Sequence, residues 1–124
     1  MLTAEDILKA QSKTEYSPGD VLHEHDDCIR MAYEWLDAQV ITKGVMKTTK
    51  PIKHIIEKWA GRYVSQNDVE VAASLHSDIK GKHPLYNISS KLTLPKIDRL
   101  EDITEANTYD YRKSFDEKVY SRRE

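Results

Sequence analysis

Between Val21 and Gln39 the apolar residues return at steps of three and four. Val21, Leu22, His25, Cys28, Ile29, Ala32, Trp35, Leu36 and Gln39 share one stripe, with Glu24, Asp27, Arg30, Glu34 and Asp37 largely outside it. That period is the signature of an amphipathic helix. Ser17-Pro18-Gly19-Asp20 just ahead of it has the spacing of a capping box with proline at the first helical position, so the helix is expected to begin there and to run through Gln39.

The remaining elements follow from shorter signals. Thr3 and Asp6 form a capping box, with Leu2 and Ile7 at the staple positions, and predict a short first helix. Val40-Ile41-Thr42 and Val45-Met46 flank Lys43-Gly44 and read as a brief extended piece. Pro51 opens a third helix through about Arg62 that buries Ile52, Ile55, Ile56 and Trp59, leaves Lys50, Lys53, Lys58 and Arg62 towards solvent, and stops at Gly61. Ser65-Gln66-Asn67-Asp68 is a further capping box, and a fourth helix is expected over 66–76. From Tyr86 to Leu94 the period becomes two, with Tyr86, Ile88, Leu92 and Leu94 on the inner face and Asn87, Ser89, Lys91 and Thr93 on the outer. Beyond Pro95 a short helix near 98–107 carries Ile97, Leu100 and Ile103, followed by a weakly held aromatic tail. The expectation is a mainly α fold with a small β element, an α+β domain.

At 124 residues the chain is expected to be a single domain, since halves of it would be too small to bury adequate cores. Residues 1–19 supply a helix and linker, 20–95 the helical core with a small sheet, and 96–124 the final helix and tail. The lone cysteine, Cys28, cannot form an internal disulfide, no apolar run approaches a membrane span, and the acidic start is unlike a secretory signal. A soluble cytoplasmic protein is the expectation. The net charge of −2 conceals a strong asymmetry. Residues 1–39 hold 3 basic and 9 acidic side chains, 40–96 hold 10 and 4, and 97–124 hold 6 and 8. A polyanion, if bound, would meet the middle.

His23-Glu24-His25-Asp26-Asp27 offers metal-ligand chemistry. In a helix, however, His23 and His25 would point about 200° apart, and only His23 with Asp27 has the i, i+4 spacing. His25-Asp26 resembles the pair of HD-type phosphohydrolases and His23-Glu24 the first half of a zinc-protease HExxH. Neither pattern is completed, because Asp27 replaces the second protease histidine and there is no separate upstream histidine of the kind an HD site requires. A metal site would need His54, His76 or His83 as a distant ligand. No cofactor is expected: Gly19, Gly44, Gly61 and Gly81 are isolated, so no phosphate-cradling glycine loop exists, and GxSxG and CxxC are absent. Cys28 falls on the apolar stripe, where buried cysteines are common.

The stretch from Ile55 to Ala73 ends one helix at Gly61, caps the next with Val64-Ser65, and places Val69 and Ala72 or Ala73 at the following apolar positions. It resembles a helix-turn-helix, with Arg62-Tyr63 lengthening the turn. The order of helix, extended piece, helix, helix and strand over residues 20–95 is similar to a winged helix. That resemblance implies a small regulatory protein binding double-stranded DNA, as a homodimer, with phosphate or base contacts from Lys53, Lys58, Arg62, Gln66, Asn67, Lys80, Lys82 and Lys91. Lys43, Lys47 and Lys50 add to the positive middle, while Glu70 and Ser74 complete the outward face of the supposed recognition helix. The alternative is a protein-interaction module, an inhibitor or adaptor of the kind found among accessory proteins of phages and mobile elements. It would use the acidic helix face and the aromatic tail.

Overall fold

The computed structural model describes every residue of the chain except Asp20. Four α-helices, α1 (Ala4–Lys13), α2 (Asp26–Asp37), α3 (Ile52–Ala60) and α4 (Gln66–Leu75), are followed in the chain by strands of two residues each. β1 (Gly81–Lys82) and β2 (Leu85–Tyr86) form an antiparallel hairpin, and β3 (Thr93–Leu94) pairs in parallel with β4 (Arg122–Arg123). The fold is mainly helical with a small β component.

Local chemistry sets several helix ends where the sequence places them. Thr3 accepts from the Asp6 amide while Asp6 accepts from the Thr3 amide, and Ser65 and Asp68 repeat the exchange at α4. Each exchange satisfies two of the amides that a helix start leaves open. α3 stops at Gly61, whose φ of 68° is the left-handed cap. A Cβ there would also press on Asn107, because Asn107 and Tyr109 donate to the Ala60 and Gly61 carbonyls.

α2 begins later than its stripe suggests. The Leu22 amide donates to Asn67 Oδ1 at 2.7 Å and the Leu22 carbonyl accepts from Ser65 Oγ at 2.6 Å, so both backbone groups of Leu22 are engaged away from any helix. His25 then caps the new start by accepting from the Asp27 amide at 2.9 Å. Ser17 does not cap at all, since its amide and hydroxyl both donate to Glu70. Asp20, the fourth member of that expected box, lies outside the described residues. Val21 and Leu22 are consequently exposed, while Cys28, Ile29, Ala32, Trp35 and Leu36 are fully buried, as is Met31.

α4 is the centre of the molecule: it packs more extensively on α2 than any other two elements do, and α1 covers it as well. Residues 67–73 are all buried. This corrects the outward reading of Asn67 and Glu70. Trp35, Trp59, Ile7, Ile29, Ile52, Ile56, Ile88 and Leu92 fill the common core. Burial of each such side chain stabilises by about 1.5–3 kcal/mol.

The C-terminal third also differs from expectation. Ile97–Leu100 is a 3₁₀ helix followed by turns, and Arg99, Glu101, Ile103 and Ala106 each donate to the carbonyl three residues back. The apolar spacing of three at 97, 100 and 103 suits that tighter helix better than an α-helix. The tail is docked: Asp110–Ser114 and Glu117–Val119 are 3₁₀ turns, Arg112 donates to the Trp59 carbonyl, and Tyr120 Oη accepts from Trp35 Nε1 at 2.9 Å. The expected long strand is two short ones. Asn87 and Thr93 turn inward, Asn87 to bond the Lys80 amide and Asp78 carbonyl, and Thr93 to exchange backbone hydrogen bonds with the Gln39 amide group.

Candidate nucleic-acid interface

Arg62, a candidate phosphate contact from the sequence, is structural. Arg62 is 4% exposed and its guanidinium donates to Glu24 at 2.6 Å, to Glu105 at 3.0 Å and to the Tyr63 carbonyl at 3.1 Å, with the Tyr109 ring 4.6 Å away. This corrects its expected place in solvent: three separate segments supply acceptors that make burial of the charge tolerable. Burial alone would lower its pKa, but the carboxylate hydrogen bonds outweigh that and raise it. Asn67 is equally committed, accepting from Leu22 and donating to Glu70 at 3.2 Å. Lys53 pairs with Glu57 at 3.0 Å and lies over the Tyr63 ring. Gln66 and Lys58 are half-buried at separate places.

Lys80, Lys82 and Lys91 are exposed, as are Lys43 and Lys47. Two lysine ion pairs exist among the described residues, Lys53 with Glu57 and Lys113 with Asp110, so these five ammonium groups carry none. Backbone hydrogen bonds bring the segments that carry four of them together at the β1–β2 hairpin. Asn87 donates to Lys80, Thr42 donates to Asn87, Met46 donates to Tyr86, and Ile41 bridges Ile88. Residues 43–45 are looped out between Thr42 and Met46 over β2. Gly81 makes that approach possible: its φ is 108°, and a Cβ would collide with the Leu85 carbonyl and Val45. Val40, Ile41 and Val45 are exposed on the same looped segment. Lys43 and Lys47 were visible in the sequence as charge, but only the pairing of 40–46 with β2 unites them with Lys80 and Lys82.

The histidines form no metal centre of three or more ligands among the described residues. His23 Nδ1 meets Asp68 at 2.7 Å and Nε2 meets Asp26 at 2.9 Å, one carboxylate on each side of the ring. His54 pairs with Glu57, His76 with Asp37, and His83 lies at the β1–β2 turn, so none joins His23. Cys28 is buried with its thiol on the Tyr63 carbonyl, and burial, aided by the Asp68 charge, pushes its pKa up to about 12. It is not poised as a nucleophile.

His23 ties residues 21–25 to the start of α4. Burial disfavours its proton, but the hydrogen bonds and charges of Asp68 and Asp26 prevail and raise its pKa. Burial raises Asp68 as well, against hydrogen bonds from His23 and Ser65. Both groups therefore hold protons more tightly in the folded chain. The stability that His23 contributes is complete below its unfolded value of about 6.5 and is lost as pH rises through the higher folded value. In thermal melts across the pH range, His23→Gln should fall furthest below the parent protein in mild acid and converge on it in alkali. A deficit that grows with pH would contradict this account.

No helix is long and apolar enough to cross a membrane among the described residues. The chain matches no protein-family model, and no curated protein and no solved structure matches it.

Proposed function

We propose that this protein is a small regulatory factor that binds nucleic acid by its phosphate backbone, through Lys43, Lys47, Lys80 and Lys82. The observation that carries the reading is four exposed lysines, without ion-pair partners among the described residues, on segments that backbone hydrogen bonds join at the β1–β2 hairpin. Unpaired ammonium groups release counterions from a polyanion at no cost in broken salt bridges. The element order, two helices and then a hairpin, favours a winged-helix-like reading in which the β1–β2 hairpin is the contacting wing. Buried α4 has little face to offer a groove, so duplex DNA would be held with weak base preference.

The test is a fluorescence-polarisation titration of labelled duplex and single-stranded oligonucleotides across a salt series. Binding should weaken steeply with salt, and replacing the four lysines by glutamine should make the logarithmic salt slope shallower by about 3–4. Binding indifferent to salt, or to those four changes, would remove the proposal. In that event exposed Val40, Ile41 and Val45 favour the second reading, a protein partner covering the same segment. A second copy of this chain is the simplest such partner, and sedimentation would detect it.

A further inference from the structure

A cleft of about 380 Å³ opens between the end of α1, residues 14–18, α4 and the β1–β2 hairpin, within the size range of small-ligand pockets. Two of its lining residues carry buried polar atoms without hydrogen-bond partners among the described residues. Tyr86 is 2% exposed, yet its hydroxyl has no hydrogen-bond partner among the described residues, and neither has the buried Nδ1 of His83. Such groups are costly to bury, so each calls for an explanation. Glu70 lines the same cleft at 7% exposure, with a carboxylate that accepts from Ser17 and Asn67 but has no cation against it. Its unused lone pair is a further acceptor. The half-buried Tyr16 supplies a second aromatic wall. At the mouth stand Lys13 and Lys82, both exposed and neither in an ion pair among the described residues.

We infer that this cleft binds a nucleotide, with the base at Tyr86, His83 and Glu70 and the phosphate at Lys13 and Lys82. The lining combines a donor, acceptors and the half-buried rings of Tyr16 and His83, which suit a heterocycle with edge hydrogen bonds and a face to stack. Burial raises the Tyr86 phenol and lowers the His83 imidazole, so both sit in the cleft uncharged. A bare anion fits poorly, because Glu70 would repel it, and the two cations are confined to the rim. A ring inside with an anion outside is the chemistry of a nucleotide, whether free or unpaired within a strand. Only Lys82 is shared with the proposed interface, and the cleft stands without that reading.

The experiment is calorimetric titration with the common nucleoside monophosphates, the corresponding nucleosides, inorganic phosphate and a short single strand. At least one monophosphate should bind more tightly than inorganic phosphate. Tyr86→Phe should weaken it about tenfold, one hydrogen bond's worth. The same change should leave the melting temperature unchanged or higher, because the hydroxyl has no partner to lose among the described residues. Lys13→Ala should weaken the monophosphate and spare the nucleoside. Monophosphates that bind no better than phosphate, or that ignore Tyr86→Phe, would overturn the inference. If Tyr86→Phe weakens the strand along with the monophosphate, the nucleotide is one within a strand; if the monophosphate alone, a free one. Salt-sensitive strand binding without monophosphate binding would sink this site and keep the lysine interface, and the converse would do the reverse.

Discussion

Replacing Arg62 by alanine should destabilise the protein by about 3 kcal/mol, near the low end for breaking a buried ion pair. The low end applies because Glu24 and Glu105 remain partly exposed, at 48% and 29%, and can rehydrate once the guanidinium is gone. What cannot be recovered is the joint itself, since one side chain links the segment before α2, the turn after α3 and the 101–108 turns. Thermal denaturation should show a fall of roughly 10 °C. Glu24→Gln, which removes only the more exposed partner, should cost less than about 1 kcal/mol. An Arg62→Ala protein that melts with the parent would refute the structural role. The result also governs how any loss of nucleic-acid binding by that variant is read, because a loosened turn weakens binding without Arg62 touching a phosphate.

Tyr120→Ala should be at least as damaging, at about 3–5 kcal/mol, the range for removing a packed aromatic ring. Its hydroxyl is the acceptor for the indole N–H of Trp35, a side chain with no exposure at all, and burial pushes the Tyr120 phenol up to about 12. Tyr120→Phe isolates one part of that cost. It keeps the ring and leaves the indole N–H unpartnered, for about 1–3 kcal/mol. Chemical denaturation of the two variants should therefore give two separated midpoints below the parent. Coincident midpoints would mean that the ring contributes nothing and that the tail rests on the surface.

Sequence reading succeeded where the determinants lie within one helical turn. The boxes at Thr3/Asp6 and Ser65/Asp68 and the stop at Gly61 are local chemistry, and they are present as expected. It failed where a distant residue took over the same groups. Ser17 has the right spacing for a cap, but Glu70 is 53 positions away and accepts both of its donors. Arg62, Asn67 and Glu70 look like surface residues by polarity, and each is buried because remote partners satisfy it. The same limit divides the functional surfaces. The hairpin lysines were legible as charge, whereas the cleft gathers Lys13, Tyr16, Glu70, His83 and Tyr86 from separate segments that share no motif.

The parallel pairing of Thr93 and Leu94 with Arg122 and Arg123 has a consequence for synthesis. A ribosome adds about 5–20 residues per second, and earlier segments emerge first. All four helices can be outside while the indole of Trp35 still lacks its acceptor and β3 still lacks its neighbour. Folding of this body to completion must then wait until Arg123 has cleared the exit tunnel, which leaves its nascent helices open to chaperones and proteases until that point.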